Sequence, residues 1–174
     1  MTHVTVVAPA PPCPPVLPRP VVLVVDDDMT IQRLTESFFP MFGFDVRSAY
    51  TVSQAIRLAT NQRVDGAVID FTLGYESGLD LLEWMRADPR YANTPVVILS
   101  GRLHFPDAAE ATIRRCHAVM AHKPMSYAVI CGTLHRMIAD AADVEKSGPA
   151  ALMGPAPPSW RRRPAPRRAC ASSS

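Results

Sequence analysis

Cys13, Cys116, Cys131 and Cys170 include no pair at C-x-x-C spacing. That pattern sets aside a disulfide framework and reads as free thiols in a reducing compartment. No apolar run approaches the roughly 18 residues of a membrane span. The N-terminus has neither a basic leader nor an unbroken apolar stretch. The expected location is therefore cytoplasmic, with no membrane partner. Lysine is almost missing: Lys123 and Lys146 stand against sixteen arginines. Acidic residues are absent from both ends, since all sixteen lie between residues 21 and 147.

Proline is scarce where the acids are found. Seven of the eighteen prolines fall in residues 1–20 and six in residues 148–174, leaving five for everything between. Pro-rich ends cannot build a packed core, so the expected organisation is a disordered arm over 1–19, one domain over 20–146 and a disordered tail over 147–174. A chain of 174 residues is long enough for one such domain to bury a real core. The middle carries twelve Lys or Arg against sixteen acids, a formal −4, whereas the tail carries five Arg and no acid. The tail segment RRRPAPRR has no fold of its own and no aromatic neighbour beyond Trp160. It reads as a solubilising tail, and a nucleic-acid partner is not expected.

Five short apolar runs punctuate the middle: VVLVV (21–25), FDVRSA (44–49), DGAVID (65–70), PVVILS (95–100) and AVMAH (118–122). The segments between them have helical spacing. Ile31, Leu34, Phe38 and Phe39 mark one stripe, Ala55, Ile56 and Ala59 a second, and Leu79, Leu82 and Met85 a third. Residues 107–116 form a short, weakly amphipathic fourth. The fifth runs from Tyr127 to about Ala142 with Val129, Ile130, Leu134, Met137 and Ile138 on one side. Strands alternating with helices imply βαβ units and a parallel sheet. Proline inside a helix removes a hydrogen bond and clashes with the preceding turn, so Pro40 should kink or finish the first helix near Phe39.

Open α/β sheets bind ligands beyond the carboxyl ends of their strands. Those ends carry Asp26 and Asp27 after the first strand, Asp70 at the third, Ser100 at the fourth and Lys123 just after the fifth. Each alone has an ordinary reading as a loop acid, a strand-end hydroxyl or a solvated charge. Together they bring three carboxylates, one hydroxyl and one ammonium to a single edge. Two carboxylates about 4 Å apart repel by roughly 4 kcal/mol at an effective dielectric near 20. A divalent cation would relieve that repulsion, and Mg²⁺ takes one or two carboxylates and completes its shell with waters and phosphate oxygens. Asp28 is left as the N-cap of the first helix.

The ordered motifs VVDDD, VIDFTLGYESGLDLLEWMR, PVVILSG and HKP resemble the receiver domain of bacterial response regulators over residues 21 to about 142. The resemblance implies a flavodoxin-like five-stranded parallel sheet in 2-1-3-4-5 order with five helices. It implies a stand-alone phosphoacceptor in a two-component phosphorelay, served by a sensor histidine kinase or a histidine phosphotransfer protein. Asp70 would accept the phosphoryl group. Asp26, Asp27, Asp70 and the Thr72 carbonyl would hold Mg²⁺, and Ser100 and Lys123 would bind the phosphoryl oxygens. Such a protein is no enzyme beyond catalysing its own phosphorylation and dephosphorylation. Its signal would leave through a protein target that the sequence does not identify. The family's Lys-Pro bond implies a cis peptide at Lys123-Pro124.

Several positions depart from the family pattern. Gly74 replaces a common proline after the phosphoacceptor and should loosen that loop. Met120 replaces the aromatic ring that works with the hydroxyl, here Ser100, as a switch. Arg102 and Thr72 occupy positions that tune the phosphoryl lifetime. Two other readings stay open. Asp26-Asp27-Asp28-Met29-Thr30 also fits the nucleophile motif of haloacid-dehalogenase-type phosphatases, with Asp26 attacking, and a degenerate receiver could serve only as a binding module. His104, His117, His122 and His135 have no metal spacing. Trp84 reads as helix packing, and Tyr75 and Glu76 read as an exposed loop.

Overall fold

A computed structural model describes residues 18–102 and 104–147. The expected arms at 1–19 and 147–174 therefore lie almost wholly outside the described residues, as do Cys13 and Cys170. Five strands alternate with five helices: β1 (Val21–Val25), α1 (Met29–Phe38), β2 (Asp45–Ala49), α2 (Val52–Asn61), β3 (Gly66–Asp70), α3 (Gly78–Ala87), β4 (Val96–Ser100), α4 (Asp107–Arg115), β5 (Val119–His122) and α5 (Tyr127–Ser147). The strands form one parallel sheet in the order β2-β1-β3-β4-β5. A separate two-residue ladder pairs Thr72–Leu73 with Glu76–Ser77.

Alternation along each strand divides the core in two. Leu23, Val25, Ala67, Ile69, Val96 and Ile98 face one layer with Ala55 and Ala59 of α2, Leu81, Leu82 and Met85 of α3, and Ile113 of α4. Val22, Val24, Val68, Val97 and Leu99 face the other, with Phe39, Phe44 and the α5 residues Ile130, Cys131 and Leu134. Strands buried on both faces read as unbroken apolar runs, which is why VVLVV and VVILS are legible as strands.

Pro40 acts as the sequence suggested. α1 stops at Phe38 and tightens into a 3₁₀ turn over Phe39–Phe42, which Gly43 closes in the left-handed region at φ 83°. The stripe assigned to α1 needs correction. Its buried residues are Gln32 and Thr35, whereas Leu34 and Phe38 are each 39% exposed. The physical reason is the Gln32 amide, which donates to the carbonyls of Ala49 (2.7 Å), Asp26 (3.0 Å) and Val24 (3.3 Å). Its two N–H groups, shared among these acceptors, hold the side chain inward, while its Oε1 is buried with no partner among the described residues. Phe38 is turned outward and stacks on Tyr127 at 5.3 Å. Val129, assigned to the inner face of α5, is likewise exposed, and Cys131 takes an inner position beside Ile130 and Leu134.

Candidate functional site

Strand register alone brings the chemistry together. Val25 pairs with Ile69, so the next residues, Asp26 and Asp70, lie side by side where the strand order reverses. Leu99 pairs with Asp70, and Ser100 with His122, which places Ser100 and then Lys123 on the same edge.

Asp26 is buried, with one hydrogen bond to each carboxylate oxygen. Its Oδ1 accepts the Asp28 N–H at 2.9 Å and its Oδ2 accepts Lys123 Nζ at 2.8 Å. Asp70 Oδ2 accepts the same ammonium at 2.8 Å, and its Oδ1 accepts the Thr72 N–H at 3.3 Å. Burial raises the Asp70 carboxyl above the usual aspartate value, more than Lys123 returns by hydrogen bonding. Burial also opposes charge on Lys123, but the hydrogen bonds it donates to Asp26 and Asp70 outweigh it and hold the ammonium above its ordinary value. Asp28 caps α1 as expected: its Oδ1 accepts the Thr30 N–H at 2.6 Å, which lowers its carboxyl below the usual value.

Asp26, Asp27 and Asp70 each offer a carboxylate oxygen within 4.8 Å of the others. An oxygen-only set in that space suits a hard divalent cation such as Mg²⁺, so the residues present fit the metal that the resemblance implies. Ser100 is buried, and its Oγ accepts the Arg102 N–H at 3.0 Å while its carbonyl accepts the Lys123 N–H at 2.7 Å. The Lys123-Pro124 peptide is cis. Met120 is partly buried against the layer of α2, α3 and α4.

Two contributors to the site were not singled out from the sequence. Gly78 opens α3 beneath the Asp70 backbone, where a Cβ would collide with the Asp70 carbonyl oxygen. Gln32 ties together the carbonyl ends of β1 and β2. Glu76 is exposed, as the sequence suggested, and its carboxylate also accepts the Val52 N–H at the start of α2 at 3.1 Å. Only Gly78 had a local signal, the SG pair preceding an apolar helical stripe. The expected effect of Gly74 also needs correction. It takes φ 61° as the first central residue of the two-residue turn between Thr72–Leu73 and Glu76–Ser77, a position that favours glycine, so it closes a hairpin. Tyr75 beside it is fully exposed. Of the histidines, His122 bonds its Nδ1 to the Arg102 carbonyl at 3.1 Å and His135 its Nε2 to the Phe42 carbonyl at 2.8 Å. Trp84 packs with Tyr91.

Residues 22–135 match the family model of the response regulator receiver domain. The transcriptional regulatory protein GltR of Pseudomonas aeruginosa is 32% identical over 79 residues, covering 45% of this chain and 33% of that protein. The chain thus spans about a third of that regulator's length. The receiver domain of a Francisella response regulator superposes with a TM-score of 0.60 at 28% identity, covering 70% of this chain and 98% of the other. A chemotaxis protein of Vibrio cholerae shares the fold, with a TM-score of 0.62 at 22% identity over 68% of this chain and 98% of its own. No helix among the described residues is long and apolar enough to cross a membrane. With the strand order, the carboxylate cluster and the family match in agreement, the chain belongs to the response regulator receiver domains of two-component systems.

Proposed function

We propose that the chain takes a phosphoryl group on Asp70 from the phosphohistidine of a sensor histidine kinase or a histidine phosphotransfer protein, and passes the signal on by protein contact. The observation that carries this reading is one ammonium, Lys123, shared at 2.8 Å between Asp26 and Asp70. In the transfer, an Asp70 carboxylate oxygen attacks phosphorus. The O–P bond forms, the P–N bond to the partner's imidazole breaks, and the imidazole nitrogen keeps the electron pair. A carboxylate is a weak nucleophile, so the site contributes position and charge. Lys123 is a compact cation for the phosphoryl oxygens, and the Ser100 hydroxyl is a further donor. Asp26, Asp27, Asp70 and the Thr72 carbonyl would hold Mg²⁺, which supplies charge neutralisation at the phosphoryl group. No separate substrate is turned over.

Ser100 and Met120 form the proposed switch. Methionine is unbranched and adaptable, so it follows a shift of Ser100 with less two-state character than a ring would. Intact-mass analysis after treatment with a small-molecule phosphodonor and Mg²⁺ tests the central claim. Wild type gains one phosphoryl group, and Asp70→Asn gains none. Labelling of Asp70→Asn but not of Asp26→Asn would favour the phosphatase reading. An unlabelled wild type would favour a degenerate binding module.

A further inference from the structure

A cleft of about 450 Å³ separates α1 from the start of α5, running over β1, β3 and β4 beneath Pro124. Its walls are mainly apolar: Val24, Val68 and Leu99 from the sheet, Ile31 and Phe39 from the α1 side, and Ile130 from α5. Tyr127 props the two helices apart, stacked on Phe38 at 5.3 Å and edge-on to Phe39 at 6.3 Å. Asp26 and Lys123 reach the lining, but they already bond one another at 2.8 Å, and the second Asp26 oxygen accepts the Asp28 N–H. The cleft therefore presents no unpaired charge to a ligand.

We infer that this cleft is a binding site for an uncharged, ring-bearing small molecule. Volume, lining and charge agree on that class. Ligand pockets span about 300–1,000 Å³ and are mostly apolar with few polar groups. An apolar cavity of about 150 Å³ accepts benzene and stays dry without it, so this space admits two or three linked rings. Phe39 is fully buried beneath, and the half-buried Tyr127 ring is the aromatic surface open to contact. A charged ligand would lose hydration with no free counter-charge to meet it. The inference rests on the cleft alone and stands apart from phosphorylation of Asp70.

The test uses the full chain and the uncharged dye N-phenyl-1-naphthylamine. Saturable binding of one dye per chain is expected, with NMR shifts concentrated at the methyls of Ile31, Val68, Leu99 and Ile130. Ile31→Trp at the wall and Thr35→Leu further in fill the space, and each should weaken binding by at least about tenfold with cooperative unfolding retained. Absence of saturable binding to wild type, as an arm already seated in the cleft would cause, overturns the inference. So do shifts centred on other residues, or undiminished affinity in both folded variants. If neither variant folds, the wild-type shift map decides by itself.

Discussion

Replacing Asp70 by Asn should make the Mg²⁺-free domain more stable, although it breaks an ion pair. Asp70 Oδ2 lies 2.8 Å from Lys123 Nζ, an attraction of about 6 kcal/mol at an effective dielectric near 20. Against it stands Asp26, with carboxylate oxygens within 4.8 Å, a repulsion of about 3.5 kcal/mol or more. Exposed Asp27 adds a smaller, screened share. Lost hydration of this partly buried carboxylate costs several kcal/mol more. The balance leaves the charged form unfavourable by on the order of 1 kcal/mol, in the same direction as the raised Asp70 carboxyl. Asparagine keeps an oxygen for the Thr72 N–H, and Lys123 keeps Asp26. The pH dependence follows from the sign of the shift. A carboxyl raised in the fold favours folding below its ordinary value of 3.8, and that contribution is lost as pH rises through the folded value. The advantage of Asn therefore exists at neutral pH and disappears in acid. Urea unfolding at pH 7 should show a higher midpoint for Asp70→Asn in EDTA at unchanged m-value. Millimolar Mg²⁺ should reverse the order by stabilising wild type through mass action. A lower midpoint for the variant in EDTA would refute the electrostatic reasoning.

Gly78→Ala should lose about 1–3 kcal/mol to overpacking and slow labelling of Asp70, because the new methyl pushes on the Asp70 carbonyl; chemical denaturation and intact mass read the two effects. Gln32→Leu should cost about 1–3 kcal/mol by removing the amide donor shared among the carbonyls of Val24, Asp26 and Ala49, with amide exchange accelerated near residues 24–26 and 49. Cys131, whose thiol burial raises to about 11, should resist maleimide at pH 8 in the folded protein and react on unfolding, as peptide mapping would show. Met120→Tyr should enlarge the amide shift changes over residues 100–125 on addition of beryllium fluoride; an unchanged response would remove Met120 from the switch.

Much of the fold was legible because its signals are local. A strand buried on both faces must be apolar along its length, so VVLVV and VVILS announce themselves. Pro40 ends α1 through its own covalent geometry, and the acids at the ends of VVLVV and DGAVID have no business in a core. The sequence by itself determined strand count, element order and the candidates Asp26, Asp27, Asp70, Ser100 and Lys123, because chain connectivity delivers each to a strand's carboxyl end. Tertiary structure decided what depended on partners distant in sequence. The inner face of α1 belongs to Gln32 and Thr35, since only the assembled sheet provides three carbonyls for one amide. Gly78 is required because β3 passes beneath it, and Glu76 caps a helix that begins 24 residues earlier. The cleft between α1 and α5 belongs to neither helix. Hydrophobic periodicity records how much of a helix must be covered, while the packed neighbours determine which polar atom finds a partner and where a space is left open.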